Sequence, residues 1–114
     1  MRIPQKRLTG YKPQFDYIKN NVRVQLYIEP IYCVNIIDKK SKQCFPLTQE
    51  QYFNYCKEAD ECFQGEISIK YWSDKVAKVK ALKEQHPDMV VFDKLIRYYY
   101  DKMSEVAGGH SHVQ

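Results

Sequence analysis

The sequence predicts an α+β fold, a small antiparallel sheet of three to four strands packed on one face by about three helices, with an extended basic N-terminal arm. Three observations lead there. Apolar and polar residues alternate strictly over 22–28, which is the period of a half-buried strand. The polar run 38–43 separates two apolar stretches, as a chain reversal between strands does. Beyond Pro46 the apolar spacing lengthens to i, i+3, i+4, i+7, the stripe of an amphipathic helix.

Residues 1–13 hold Pro4, Gly10 and Pro13 among basic and polar side chains and read as an extended arm. The stretch 14–20 is too short to sustain more than a helical turn. The first strand then places Val22, Val24, Leu26 and Ile28 on one face, with Arg23, Gln25 and Tyr27 toward solvent or a partner. Glu29-Pro30 ends it in a bend, because a tight two-residue turn would force a positive φ on Glu29. Residues 31–37 are apolar on both faces and read as a central strand. Cys44-Phe45 returns briefly as a third.

Thr48 with Gln51 three residues on forms a capping box. On the helix it opens, Tyr52, Tyr55, Cys56, Ala59, Cys62 and Phe63 share one stripe, and Gly65 terminates it. Residues 66–71 alternate again and read as a strand. Ser73 caps a second helix lined by Trp72, Val76, Val79 and Leu82, which His86-Pro87 breaks. The last helix carries Met89, Phe92, Leu95, Ile96, Tyr99, Met103 and Val106 on one face and Asp93, Arg97 and Asp101 at ion-pair spacing on the other. The expected organisation is therefore an arm over 1–13, one α+β domain over 14–107, and a polar tail over 108–114.

Charge is distributed unevenly. Six cations, Arg2, Lys6, Arg7, Lys12, Lys19 and Arg23, face a single Asp16 in the first 23 residues, while the other 91 carry 12 Lys/Arg and 13 Asp/Glu. A near-neutral body with a cationic leader suits an anionic partner. Ten tyrosines against five Phe and one Trp favour half-buried positions and interfaces. No stretch approaches the ~20 apolar residues of a membrane span, and the basic N-terminus lacks the apolar run of a secretory signal. The expected location is the cytoplasm, or a virion or other particle.

Chemistry-bearing motifs are sparse. Cys33, Cys44, Cys56 and Cys62 form no CxxC pair and read as reduced core thiols. His110-Ser111-His112 offers two metal ligands on a tail where a structural site needs four. Tyr98-Tyr99-Tyr100 invites a nucleophilic reading, but Tyr99 falls on the apolar stripe with its neighbours at the stripe's edges, so the triplet reads as a packing face. Lys75, Lys78, Lys80 and Lys83 are spread around their helix, and no Gly-rich phosphate loop is present. No cofactor, metal or small-molecule substrate is expected.

The reading that follows is a non-enzymatic structural or adaptor protein of a multi-subunit assembly, such as a virion. Arg2, Lys6, Arg7 and Lys12, with Tyr11 and Tyr27, are its expected partner-binding residues. A nucleic-acid-binding protein using the same arm, with Tyr11, Tyr17 and exposed strand aromatics such as Tyr27 as stacking groups, is the second reading, and an inhibitor or regulator of a single protein target the third.

Overall fold

In the computed structural model, which describes residues 1–108, the first half of the chain folds as consecutive hairpins. Strands β1 (Phe15–Lys19), β2 (Val22–Tyr27), β3 (Cys33–Ile37) and β4 (Lys42–Pro46) pair antiparallel in the order β1-β2-β3-β4. Helices α1 (Gln49–Glu61), α2 (Ile69–Gln85) and α3 (Val91–Gly108) complete an α+β fold. The chain clusters into two units, Met1–Phe63 and the part from Gln64 onward. The boundary falls inside the span 14–107 that the sequence assigns to one domain.

In the first unit, β1 occupies the stretch expected to be a helical turn. Phe15 and Tyr17 are buried and Asp16 is exposed, so the segment follows the two-residue period of the strand it pairs with. Asn20 (φ 53°) and Asn21 (φ 67°) turn the chain between Lys19 and Val22. Asn tolerates this left-handed backbone better than most residues, and two such residues match the twist of a hairpin. The Glu29-Pro30 bond is cis and lies in the bend between β2 and β3.

One sheet face, which carries Phe15, Tyr17, Val24, Leu26 and Val34, packs on α1. Phe15 meets the Tyr52 ring edge-on, and Tyr32 stacks on Tyr52 at 4.7 Å. The capping box of α1 forms as expected: Gln51 N–H donates to Thr48 Oγ1 at 3.1 Å, and Thr48 N–H donates to Gln51 Oε1 at 2.9 Å. Of the expected stripe, Tyr52, Cys56 and Ala59 are buried while Phe63 is exposed. Phe53 takes an inward place instead.

The second unit is a helical hairpin. Residues 66–71 are not a strand: the chain is irregular to Ser68, whose side chain caps α2 by accepting from Tyr71 N–H. The cap is thus Ser68, five residues before the expected Ser73. Trp72, Val76, Val79 and Leu82 of α2 are buried, as are Val91, Phe92, Leu95 and Tyr99 of α3. The Trp72 and Tyr99 rings lie 5.8 Å apart. Lys83 pairs with Asp93 and Lys80 Nζ donates to Tyr100 Oη at 2.9 Å, both joining the two helices. Val106 is 40% exposed, so the expected apolar face of α3 fades toward its end. His110 and His112 of the expected polar tail lie outside the described residues.

Candidate interaction surface

The other sheet face is built by strict alternation. Ladder partners Tyr27–Cys33, Gln25–Asn35 and Arg23–Ile37 join β2 to β3, and Cys33–Pro46, Asn35–Cys44 and Ile37–Lys42 join β3 to β4. One corner of the face is apolar, with Tyr27 and Cys33 in one row and Cys44 in the next; Gln25 and Asn35 continue that second row as polar residues, and Arg23 and Lys42 flank Ile37 in the third.

Across this face runs the N-terminal segment, and here the expectation of an extended arm is corrected. Ile3 N–H donates to Cys44 O at 2.8 Å, adding a one-residue bridge to the outer edge of β4. The chain then makes a 3-10 turn over Gln5–Leu8 and continues into β1 at the opposite edge of the sheet. Ile3 and Leu8 are buried in one cluster with Tyr27, Cys33 and Cys44. Burying two aliphatic side chains, at about 1.5–3 kcal/mol each, gives the segment a reason to dock that its Pro and basic residues do not reveal. Gly10 (φ +88°) lets the chain leave the turn in a conformation that other residues resist. The segment is a strap rather than an arm.

Beneath the strap a polar chain crosses the sheet. Gln5 Nε2 donates to Asn35 Oδ1 at 2.7 Å, and Asn35 Nδ2 donates to Gln25 Oε1 at 3.1 Å. Gln25 Nε2 donates to Asp16 Oδ2 at 3.3 Å, and Arg23 grips the same carboxylate through both oxygens at 2.9 and 2.6 Å. The hydrogen bonds from Arg23 hold the Asp16 carboxyl below the usual range against the opposing pull of partial burial. A groove of about 420 Å³ opens beside this chain, with Lys6 of the strap and Lys42 of β4 among its walls.

The strap carries Arg2, Lys6, Arg7 and Lys12 with all four side chains exposed, and Tyr11 is 48% exposed beside them. Tyr27 is the exception among the expected partner-binding residues. It is 6% exposed, because Ile3 and Leu8 cover it, and its hydroxyl reaches Gln25 Oε1 at 3.5 Å. Burial raises its pKa. The alternation of β2 placed Tyr27 on the right face, but that face is covered at its end of the strand. Gln5 and Lys42 gave no sequence signal, whereas Gln25 gave one, because the alternation over 22–28 sets it beside Arg23 and Tyr27 on the face toward solvent or a partner. Asn35 gave one, as the single amide in the apolar run 31–37.

On the opposite face, Glu58 of α1 accepts from Tyr17 Oη at 2.7 Å and from Lys19 Nζ at 2.6 Å. Burial opposes its charge, but the Lys19 and Tyr17 hydrogen bonds outweigh it and keep the carboxyl below its usual pKa. Tyr17 is driven the other way, first by burial and then by Glu58, so its phenol stays protonated well above the ordinary range. Such a group ties α1 to β1. Among the thiols, burial and then the Cys44 contact push Cys33 up to about 12, and Cys44 is raised as well. Thiols in that range are poor nucleophiles at neutral pH. Among the described residues, no group of three or more His, Cys, Asp or Glu could hold a metal ion, and no helix is long and apolar enough to cross a membrane.

No family model, no curated protein and no solved structure matches this chain.

Proposed function

We propose that the protein is a non-enzymatic binding module, an adaptor in a multi-subunit assembly, whose strapped sheet face engages an acidic surface on a partner protein. The observation that carries this reading is the docking of the strap: Arg2, Lys6, Arg7 and Lys12 project from a segment pinned by Ile3 and Leu8. Cations on an ordered segment lose less conformational entropy on binding than cations on a free tail, and they steer encounter with a negative partner. Lys42 on the far wall of the groove extends the same field. The half-buried amides of Gln5 and Gln25, held in place by the buried Asn35, supply the polar complement that a carboxylate-rich peptide needs.

The nucleic-acid reading keeps one supporting observation, the exposed Tyr11 ring beside these cations, which could stack on a base. It loses its other stacking groups, because Tyr17 is buried against α1 and Tyr27 is covered by the strap. Fluorescence anisotropy with a labelled glutamate-rich peptide and a labelled single-stranded oligonucleotide distinguishes the two. The expected outcome is peptide binding that the double substitution Lys6→Glu, Arg7→Glu weakens by about tenfold or more. Oligonucleotide binding with a log–log salt slope near −3, as four phosphate contacts on a single strand require, together with no peptide binding, would overturn the protein-partner reading in favour of the other.

A further inference from the structure

We infer that Cys33 and Cys44 are an oxidisable pair that closes to an intramolecular disulfide in the presence of hydrogen peroxide, at a rate set by opening of the N-terminal strap. The two cysteines project from the same sheet face on neighbouring strands, offset diagonally, since Cys33 stands opposite Pro46 and Cys44 opposite Asn35. The Cys44 thiol donates to Cys33 Sγ at 3.3 Å, and both residues are fully buried. Sulfurs in a disulfide stand about 2.05 Å apart, so about an ångström of approach remains.

The step balances with the peroxide alone. One thiol gives up its proton, and its sulfur attacks a peroxide oxygen. The O–O bond breaks, leaving a sulfenic acid and releasing the first water. The sulfur of the second thiol then attacks the sulfenic sulfur, so that the S–S bond forms, the S–O bond breaks and a second water departs. The two sulfurs lose two electrons in total, which reduce the peroxide, and both thiol protons end in water.

Access is the obstacle. Ile3 and Leu8 lie over the pair in the same buried cluster, and the Ile3 amide is bonded to the carbonyl of Cys44 itself. Burial also keeps the thiolate scarce. Lifting the strap removes both barriers together, because the residues that exclude peroxide are those that desolvate the sulfurs.

The test exposes the full-length protein to hydrogen peroxide, quenches by alkylation in denaturant, and follows mass and cross-linked peptides over time. The expected product is a monomer that takes up two alkyl groups instead of four and is about 2 Da lighter than the dithiol with the same two alkyl groups, with the link mapped to Cys33 and Cys44. Cys33→Ala abolishes that product. Leu8→Ala, and Gln5→Ala, which loosens the strap without emptying the cluster, each speed its formation by about fivefold or more while circular dichroism shows a native fold. Retention of all four thiols, oxygen addition without a link, a link to another cysteine or a link between molecules would each overturn the pairing. Unchanged rates in both strap variants would overturn the control by the strap.

Discussion

Burying an amide in a strand of Cys, Val and Ile is unfavourable unless its polar atoms find partners, and Asn35 finds them in Gln5 and Gln25. Asn35→Ala is expected to cost about 1–2 kcal/mol in urea unfolding, since it leaves two amides to rehydrate in a groove that is partly open. A change below about 0.5 kcal/mol would mean that the network contributes no net stability. Tyr17 sets a second expectation. Its phenol ordinarily titrates near 10.0 but burial holds it protonated in the folded chain, as it does those of Tyr27, Tyr32 and Tyr52. The stability that each contributes is complete below pH 10 and is lost as pH rises above it, because only the unfolded form releases the proton. The loss is up to about 1.4 kcal/mol per pH unit for each group. Melting temperature should therefore begin to fall near pH 9, where Cys33 and Cys44 ionise in the unfolded chain, and fall steeply beyond 10, with the phenolate absorbance of the buried tyrosines appearing together with unfolding. Phenolate absorbance that develops fully before unfolding would contradict it.

At the scale of elements, strong periodicity was legible and short segments were not. The alternation of β2, the apolar run of β3, the Thr48–Gln51 box and the Trp72–Val76–Val79–Leu82 stripe all read correctly, because each repeats its signal within a few residues. Strand β1 did not, since five residues cannot distinguish a strand from a turn without the Asn20-Asn21 hairpin that pairs them with β2. The start of α2 was misplaced because Ile67, Ile69 and Tyr71 alternate by chance at a helix entrance whose Ile67 and Ile69 remain exposed. In α3, Phe92 and Tyr99 are fully buried one above the other, whereas Ile96 and Met103 are only half-buried, and Met89, expected on the same face, is half-buried in the turn before the helix begins at Val91. Phe92→Ala should accordingly cost about 3–5 kcal/mol, measurable by thermal or urea denaturation. A loss under about 1 kcal/mol would mean that this face is not packed in solution.

For the whole molecule, the surface depends on contacts that no local pattern encodes. Ile3 and Leu8 were visible as isolated apolar residues in a basic leader, but their partners Tyr27, Cys33 and Cys44 lie on three different strands. Gln25 meets Asn35 only because the β2–β3 register sets them opposite each other. The strap thus converts a flexible cationic leader into a fixed one, and both the proposed partner surface and the shielding of the thiol pair rest on its being closed. Amide hydrogen exchange at Ile3 measures this most directly, since that N–H is bonded to Cys44 O. Protection of roughly a hundredfold or more over an unstructured peptide is expected. Exchange of Ile3 at the unstructured rate, with β3 and β4 still protected, would show that the N-terminus is a free arm and contradict the account.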